Sequence, residues 1–392
     1  MLPNLRGLYY ITHIDNIPSI LRRGILSHRK VIDEGINYTP IYDKEIIENR
    51  KAISTPDGRS LWEFANLYFQ PRNAMLYRVI FFSNAGVENI AIIGLRDSIL
   101  RKKEIYITTG NAASPHSSFI PAKDVNKHLK NLRERVDKCW WSYEDGSKRE
   151  LMAECLVPEC VPPEYISEIY VAKQEVCDKL HSMIPSRSIP VIPEPELFFL
   201  PSRKITFPGT NLSLVEGDMF FSRMQTLTVS VNTMGVMGKG LASRAKYQFP
   251  DVYVKYQDLC RQKVLKMGKP YLYKRETSLD SVLADEAENL PTSNLQTWFL
   301  LFPTKTDWRK PADLQGIKRG LEWLVENYSQ EGIKSLAIPA LGCGLGWLEW
   351  GVVGPILCTE LATLNIPVML YLPAEKGIPD DQLTKHFLLS NR

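Results

Sequence analysis

The chain has 392 residues and a formal net charge of +4; 44% of its residues are apolar and 23% are charged. This length exceeds one typical hydrophobic core, so we expect two domains or more. The composition is that of a globular protein, and no apolar run approaches the roughly 20 residues of a membrane helix. The N-terminus lacks a secretory signal pattern, and seven cysteines without close pairing argue against a disulfide framework or structural zinc. We therefore expect a cytoplasmic protein that binds no metal, whose mild charge permits a nucleic-acid partner without indicating one.

The first half of the chain alternates strand and helix patterns without a regular rhythm. Residues 9–12 predict a strand, and residues 17–23 predict a short helix that ends at a glycine. Residues 75–82 and 90–93 are short apolar runs typical of buried strands, and residues 123–139 have a helical pattern. The mixture favours an α+β domain.

Glu154 lies in an apolar run, Met152-Ala153-Glu154-Cys155-Leu156-Val157, that predicts a strand. A glutamate in a strand is commonly an exposed edge residue. Alternatively, a buried carboxylate held against a substrate stabilises an oxocarbenium-like ribose and takes a proton from the attacking group. The residues alone leave both interpretations open.

Six prolines between residues 183 and 208 mark the clearest change in composition. Because proline disfavours helix interiors and central strands, we expect an extended linker at residues 184–208, between domains at residues 1–183 and 209–392. Phe198 and Phe199 are too apolar to stay in water, so part of this segment is expected to pack on a domain.

The second half has a regular order of strand, glycine turn and helix. Strands are predicted at residues 227–231, 298–302 and 335–338, and helices at residues 241–247 and 314–328. This order predicts a parallel α/β sheet, in which ligands bind where the carboxyl ends of the strands meet the turns.

Two glycine-rich segments, residues 231–240 and 338–346, each contain the end of a predicted strand and the turn after it. Glycine allows close backbone approach and positive φ, so several amide N–H groups can converge on one anion beside a helix N-terminus. Two such turns suit a diphosphate between two sugars, although a glycine turn can equally serve only to reverse the chain.

Lys239 directly precedes the helix predicted after the first glycine segment. One interpretation is an ordinary solvated lysine. In the other, the positive end of the helix dipole disfavours the charged amine, and the neutral amine acts as a nucleophile toward the anomeric carbon of a ribose.

The second half resembles a macrodomain at Gly217-Asp218, Val231-Asn232-Thr233 and Gly342-Cys343-Gly344-Leu345. Residues 232–240, with residues 302–305 and Trp308-Arg309, are similar to the branch that contains the DarG antitoxins and related DNA ADP-ribosyl glycohydrolases. The resemblance implies an α/β macrodomain with a mixed central sheet flanked by helices.

This resemblance implies that the second domain binds ADP-ribose, with Asp218 facing the adenine and the second glycine turn around the diphosphate. It also implies that Lys239 catalyses the release of ADP-ribose from a nucleobase. Some relatives carry a catalytic aspartate where this chain has Gly346, so a domain that binds ADP-ribose without turnover is an alternative. The implied ADP-ribose contacts are Asp218, Met219, Asn232, Thr233, Gly238, Gly342, Cys343, Gly344, Leu345 and Gly346.

The first half resembles DarT, a family of toxins that ADP-ribosylate bases in single-stranded DNA, at residues 10–26, 68–77, 110–113 and 153–157. The resemblance implies an ADP-ribosyltransferase fold that consumes NAD, with Glu154 as the catalytic glutamate. Arg50 is assigned as the catalytic arginine, and Arg72 is its rival. The implied NAD contacts are His13, Thr12, Met75, Leu76 and Arg72, and the implied contacts with the target base are His116 and Asn111.

Positive charge for a DNA strand is available in the first half. Single-strand binding requires cations along the backbone and aromatic rings for stacking. Charged helix faces are often only solvated, so the residues alone do not decide whether this surface binds DNA. The cations are Arg101, Lys102, Lys103, Lys123, Lys127, Lys130, Arg133 and Arg135, and the neighbouring aromatic residues are Trp140, Trp141 and Tyr143.

Together the two resemblances imply one chain that attaches ADP-ribose from NAD to thymidine in single-stranded DNA and removes it by hydrolysis. The expected partners are single-stranded DNA and ADP-ribose or ADP-ribosylated DNA, with no membrane. The chain ends soon after the macrodomain, so reversal is expected to rest on hydrolysis, or on an intramolecular contact between the two domains that covers the transferase site. The alternatives are a non-catalytic macrodomain that reads ADP-ribose, and a transferase acting on RNA or protein.

Overall fold

The computed structural model describes residues 7–42, 44–83, 85–142, 144–184, 189–284, 296–374 and 377–390, without the side chains of residues 44–47. Contacts divide the chain into two compact units. The first comprises Met1–Phe199 with Leu283–Pro291, and the second comprises Leu200–Val282 with Thr292–Arg392. Of the helices in the described ranges, none is both long and apolar enough to cross a membrane.

The first unit contains ten described strands and seven described α-helices. The strands are β1 (Leu8–His13), β2 (Ile25–Leu26), β3 (Phe64–Tyr68), β4 (Ile90–Leu95), β5 (Tyr106–Thr108), β6 (Phe119–Pro121), β7 (Glu154–Pro158), β8 (Cys160–Val161), β9 (Ile166–Val171) and β10 (Val191–Pro193). The helices are α1 (Ile17–Arg23), α2 (His28–Asp33), α3 (Lys44–Lys51), α4 (Ala74–Phe82), α5 (Val125–Val136), α6 (Ser147–Glu150) and α7 (Gln174–Met183).

Among the described residues, eight of these strands form one sheet in the order β10-β9-β4-β1-β3-β7-β5-β6, and β2 pairs separately with β8. The neighbours in the larger sheet are antiparallel except for β10 and β9. The predicted strands at residues 9–12 and 90–93 and the predicted helix at residues 17–23 are confirmed. Glu154 is the first residue of β7 and lies opposite Tyr68 of β3, inside the sheet.

The strand predicted for residues 75–82 is wrong, because α4 is a helix. The side-chain oxygen of Asn73 caps it by accepting a hydrogen bond from Leu76 N at 3.0 Å. The buried residues of α4 lie on more than one face, so its sequence is apolar all round and lacks a helical period. A short apolar run does not distinguish a buried strand from a buried helix, whereas the N-cap does.

The proline-rich segment differs from the extended linker predicted for residues 184–208. Within it, β10 adds a parallel strand to β9 at one edge of the first sheet, and β11 (Arg203–Thr206) is an edge strand of the second unit. Proline is tolerated in β10 because an edge strand has one unpaired side. Phe198 and Phe199 are buried, as expected, and the boundary between the two units falls directly after Phe199.

The second unit alternates strands and helices as the sequence predicts. After β11, its described strands are β12 (Leu212–Glu216), β13 (Thr226–Asn232), β14 (Tyr271–Tyr273), β15 (Trp298–Lys305), β16 (Leu336–Pro339) and β17 (Val368–Tyr371). Its described helices are α8 (Gly240–Gln248), α9 (Pro250–Arg261), α10 (Asp280–Leu283), α11 (Leu314–Glu331), α12 (Trp350–Leu361) and α13 (Lys385–Leu389).

The described strands of the second unit form one sheet in the order β11-β12-β17-β16-β13-β15-β14. The five inner strands are parallel, and the two edge strands are antiparallel to their neighbours. Phe302, Leu321, Leu336 and Leu357 belong to the buried cluster of strands β15 and β16 and helices α11 and α12. Because the inner strands are parallel, their carboxyl ends meet at one edge, and both glycine turns lie there.

Candidate active sites

Arg50 and Glu154 form a buried ion pair in the first unit. Arg50 Nη1 donates to Glu154 Oε1 at 3.1 Å and Nη2 donates to Oε2 at 2.8 Å, a bidentate geometry that fixes both groups. The side chain of Glu154 is 0% exposed and that of Arg50 is 17% exposed. Burial alone would lower the pKa of Arg50, but the adjacent carboxylate outweighs it and holds this pKa above its usual value.

Backbone contacts hold Glu154 from the other side. Ala112 N donates to Glu154 Oε1 at 2.9 Å, and Thr108 Oγ1 accepts from Glu154 N at 2.9 Å and donates to Gly110 O at 2.6 Å. A carboxylate has about four lone-pair positions, of which Arg50 and Ala112 fill three. One position therefore remains for a substrate donor. The interpretation of Glu154 as an exposed edge residue is wrong.

Arg50 lines a pocket of about 400 Å³, whereas Glu154, buried behind it, does not belong to the described lining. This volume lies within the range of small-molecule sites. Of the NAD contacts expected from the sequence, Thr12 and Met75 line it. Leu76 is instead fully buried on α4, and His13 Nδ1 accepts from Asp15 N at 3.2 Å. Neither belongs to the described lining of the pocket.

Arg72 does not have the position expected of an NAD-binding or catalytic arginine. It is 3% exposed, and its guanidinium donates to the carbonyl oxygens of Glu196 (from Nε, at 3.0 Å) and Cys139. The guanidinium also lies 4.7 Å from the ring centroid of Phe199. These contacts pack the proline-rich segment against the first unit. They correct the expectation for Arg72. Arg50, by contrast, lines the pocket, as do Arg23 and Arg78.

Asn16 also lines the pocket, and the sequence analysis missed it. Its Nδ2 donates to Thr12 Oγ1 at 3.1 Å and to Thr39 O at 2.9 Å, while its Oδ1 accepts from Thr39 N at 2.8 Å. Asn16 thereby ties the loop at residues 36–42 to the end of β1. An isolated asparagine has no spacing pattern by which the sequence marks such a role.

His28 and Tyr42 are further lining residues that the sequence did not reveal. Tyr42 Oη lies 2.7 Å from His28 Nε2, and the rings of Tyr38, Tyr42 and Trp62 lie between 5.6 and 6.2 Å from the imidazole. Burial, with a smaller effect of the Arg50 charge, lowers the pKa of His28 to about 4. The imidazole is therefore neutral at pH 7 and forms a polar but uncharged wall.

We expect acid to destabilise the first unit through His28. Folded His28 stays neutral down to about pH 4, whereas the unfolded residue takes up a proton below its ordinary pKa of 6.5. The unfolded state then binds more protons, so the free energy of unfolding falls as the pH drops from 6.5 to 4, by up to about 1.4 kcal/mol per pH unit. Urea unfolding at several pH values measures this slope.

The matched variants for this measurement are His28→Gln and His128→Gln, because His128 is an exposed residue of α5. The His28→Gln chain should have a shallower slope between pH 4 and 6.5 than the wild type, and His128→Gln should keep the wild-type slope. Equal slopes in all three chains would contradict the effect of His28.

Of the residues expected to contact the target base and DNA, some are exposed or line the pocket and others are buried. Asn111 lines the pocket, and His116 is exposed on the loop between β5 and β6. Trp141 is fully buried and its Nε1 donates to Leu283 O at 3.2 Å, so it is a core residue and not a stacking platform. Tyr143 lies outside the described residues. The exposed cations of the predicted track are Arg101, Lys103, Lys123, Lys127, Lys130 and Arg135.

The two glycine turns of the second unit meet at the carboxyl edge of its sheet. They follow β13 and β16, which are neighbouring parallel strands. Gly240 has φ +61°, and a Cβ there would lie 3.3 Å from Leu345 Cδ1 of the other turn. Lys239, exposed at the N-cap of α8, is therefore adjacent to the second turn.

Asn232 holds the first turn together. Its Oδ1 accepts from Met234 N at 2.9 Å and from Tyr256 Oη at 3.0 Å, and its Nδ2 donates to Val236 O at 2.6 Å. Thr233 Oγ1 donates to Thr306 O at 3.2 Å. These side chains shape the turn from within. Of the other expected ADP-ribose contacts, the buried ones are Met219, Gly342, Cys343 and Gly346, and the exposed ones are Gly238, Gly344 and Leu345.

Asp218 follows β12 at the same edge and is held by Arg244. Arg244 Nη1 lies 2.7 and 2.8 Å from the two carboxylate oxygens, and Phe220 N donates to Asp218 Oδ1 at 3.1 Å. The guanidinium lies 4.7 Å from the ring centroid of Phe220. Arg244, which the sequence analysis did not identify, therefore fixes the orientation of Asp218 before any ligand binds.

Gly346 has no room for a side chain. A Cβ at this position would lie 2.4 Å from Gly342 O and 2.6 Å from Gly342 Cα, and Gly342 itself has φ +79°. An aspartate at residue 346 therefore requires a different conformation of the turn. The backbone conformation of this turn therefore excludes the aspartate that some relatives carry at this position.

We expect Gly346→Ala to lower the stability of the second unit by about 1–3 kcal/mol, because the Gly342 turn must move. The affinity for ADP-ribose should fall about tenfold or more, equivalent to about 1.4 kcal/mol. Thermal unfolding and titration calorimetry measure the two effects. The stability control is Gly238→Ala, whose Cβ would find its nearest neighbour at 4.0 Å. Wild-type stability and affinity in Gly346→Ala would contradict the steric argument.

One group of side chains in the described ranges has ligand atoms close enough for a metal ion: Cys177, Asp178 and His181 of α7, within 4.8 Å of one another. Cys177 Sγ donates to Val191 O at 3.4 Å, and burial raises the pKa of its thiol. None of the three residues belongs to the described lining of the pocket.

These features define a two-unit chain, in which a unit with a buried Arg50–Glu154 pair beside a pocket is joined to an α/β unit whose glycine turns lie at the carboxyl edge of its sheet. The family "ssDNA thymidine ADP-ribosyltransferase, DarT" matches residues 9–199, and the family "Macro domain" matches residues 229–357. The DNA ADP-ribosyl transferase-DNA ADP-ribosyl glycohydrolase fusion protein of Thermosipho africanus is 58% identical over 391 residues, which is 100% of both chains. The chain therefore belongs to the family of these DarT–DarG fusion proteins.

A solved structure and one further relative agree with this assignment. The structure of Thermosipho africanus DarTG in complex with ADP-ribose has a TM-score of 0.93 and 57% identity, and the match covers 98% of this chain and 100% of that one. The DNA ADP-ribosyl glycohydrolase of Thermus aquaticus is 32% identical over 165 residues, 42% of each chain. The predicted fold class, a transferase domain followed by a macrodomain, is confirmed.

Proposed function

We propose that the first unit transfers ADP-ribose from NAD to thymidine in single-stranded DNA, and that the second unit hydrolyses this adduct. The observation that carries the proposal is the Arg50–Glu154 pair beside the pocket, in a chain whose family is named for both activities. NAD is the co-substrate, nicotinamide is the product, and the chemistry requires no metal. We also propose that the protein is located in the cytoplasm, as expected from the sequence.

In the transfer step, the bond between nicotinamide and the ribose breaks, and positive charge develops on the ribose. The Glu154 carboxylate stabilises this charge, and its remaining lone pair stays available for the proton of the attacking group. A ring nitrogen of thymine then attacks the anomeric carbon, and its proton passes to Glu154. Arg50 holds the carboxylate in place throughout. The thymine must be unpaired, because base pairing hides this nitrogen.

In the hydrolytic step, the amine of Lys239 attacks the anomeric carbon and thymine leaves with the bonding electrons and a proton. Water then cleaves the lysine adduct, releases ADP-ribose and restores the amine. Gly346 supports a second candidate, a macrodomain that only binds ADP-ribose, because no side chain at that position can serve as a second catalytic group.

The proposal is tested by incubating the full chain with NAD labelled in its adenosine half and four targets: thymidine-containing single-stranded DNA, the same DNA as a duplex, RNA, and protein. Label should enter only the single-stranded DNA and should leave it after NAD is removed. An oligonucleotide with cytidine in place of each thymidine is the matched control. Labelling of RNA or protein but not DNA would contradict the proposed substrate. A DNA adduct that persists after NAD is removed would mean that the second unit binds ADP-ribose without hydrolysing the adduct.

A further inference from the structure

Two large aromatic side chains project into solvent beside the glycine turns of the second unit. Trp347 is 64% exposed and Trp308 is 50% exposed. Trp347 directly follows the second turn and has φ +63°, a conformation that costs free energy in a residue other than glycine. Trp347 therefore keeps an unfavourable backbone conformation while its side chain remains in water. Packing in a hydrophobic core does not account for this conformation.

Trp308 lies on a segment that is hydrogen-bonded to the turn directly before Trp347. The segment that carries it, residues 305–312, is tied to the second turn at both ends. Lys305 Nζ donates to Leu345 O at 2.6 Å, and Ala312 N donates to Gly346 O at 2.9 Å. Leu345 of the second turn also lies against Gly240, the residue after Lys239. The segments that carry the two tryptophans therefore both connect to the turn that lies against the start of α8.

A positively charged side chain lies near each of the two tryptophan rings. Lys305 Nζ lies 5.4 Å from the ring centroid of Trp347, and Arg309 Cζ lies 5.0 Å from that of Trp308. Arg309 is 65% exposed, and its one ion contact in the described residues is a 3.9 Å approach to Asp307. Aromatic rings that stack on bases, combined with cations that meet phosphates, are the means by which proteins bind single-stranded nucleic acid.

We propose that Trp308 and Trp347 stack on the nucleobases that flank an ADP-ribosylated thymidine, while Lys305 and Arg309 meet the neighbouring phosphates. The second unit then recognises the modified single strand and not only the ADP-ribose on it. This inference rests on the proposed function, in which ADP-ribosylated DNA is the substrate of the second unit.

The test compares two substrates with the full chain and no NAD, so that the transferase is silent. One substrate is ADP-ribosylated thymidine as a mononucleotide, and the other is the same nucleotide inside a short single-stranded oligonucleotide. Trp308→Ala and Trp347→Ala should each lower kcat/KM for the oligonucleotide about tenfold, as expected for the loss of one stacked base, and leave the mononucleotide within about twofold. Trp308→Phe and Trp347→Phe should retain most of the wild-type value. Tyr247→Ala, which removes an exposed ring of α8, is the matched control.

Displacement of a fluorescent ADP-ribose from chains with Lys239→Ala separates this inference from the hydrolysis on which it rests. If neither substrate is cleaved, the oligonucleotide should still displace the probe at a lower concentration than the mononucleotide, and the tryptophan variants should abolish that advantage. Equal displacement by both substrates, or equal losses on both in the tryptophan variants, would overturn the stacking role even where hydrolysis stands.

Discussion

Glu154→Gln is expected to reduce the rate of ADP-ribose transfer by at least about 1,000-fold, because a neutral amide cannot stabilise the positive charge that develops on the ribose. The geometry of the site supports a loss of this size. The carboxylate is fully buried, and its orientation is fixed by Arg50 and Ala112, so bulk solvent screens its charge little. The measurement is the initial rate of adduct formation on a thymidine oligonucleotide, followed by intact mass.

The same substitution leaves the Arg50 charge uncompensated, at a cost of roughly 3–5 kcal/mol in stability. The double variant Arg50→Gln/Glu154→Gln separates folding from chemistry, since it removes both charges and should recover stability without recovering activity. Glu63→Gln is the surface control, because Glu63 pairs with exposed Arg29 at 3.3 Å and should change stability by less than about 1 kcal/mol. Wild-type transfer by Glu154→Gln would remove Glu154 from the mechanism.

Lys239→Ala is expected to abolish removal of ADP-ribose, by about 1,000-fold or more, while the adduct still forms. Its side chain is exposed at the N-cap of α8, so truncation leaves no cavity and the fold should be unaffected. ADP-ribose affinity should change little, because the glycine turns and Asp218 provide the expected contacts. The readout is the mass of an adducted oligonucleotide over time, together with calorimetric binding of ADP-ribose.

Lys246→Ala is the matched control for this experiment. Lys246 lies on the same helix, and its amine is 4.7 Å from the ring centroid of Tyr253. Removal at the wild-type rate is expected from this control. Removal at the wild-type rate by Lys239→Ala would refute the nucleophile, whereas loss of removal in both variants would indicate a general effect of charge on α8.

The second unit was largely predictable from the sequence because its signal is repetitive. Strands β13, β15 and β16 and helices α8 and α11 were predicted from short apolar runs, glycine turns and helical periodicity, whereas the inner strands β12 and β17 were not. In the first unit, α4 is buried on more than one face and has no such period. There the deciding contact, Asn73 with Leu76 N, is a single hydrogen bond that an apolar-run analysis overlooks.

The candidate site residues also differ in how far the sequence could identify them. Glu154 could be found from its motif, but the choice between Arg50 and Arg72 could not be made without three-dimensional contacts. Both are arginines in segments without strong patterns, and only the structure pairs one with a carboxylate and the other with carbonyl oxygens. His28 and Arg244 were missed because their roles depend on partners that are distant in sequence or belong to another element.

The strand β10 also limits how the two activities can be separated. A chain cut after residue 183 would lose β10 and Phe199, which would expose the backbone edge of β9 and the rings of Tyr77 and Trp141 that contact Phe199. An unpaired apolar edge of this kind favours intermolecular pairing and aggregation. A transferase fragment therefore has to extend at least to Phe199. Even that fragment would lack Leu283–Pro291, which belongs to the first unit and whose Leu283 O accepts a hydrogen bond from Trp141 Nε1, so no single cut in the chain separates the two units completely.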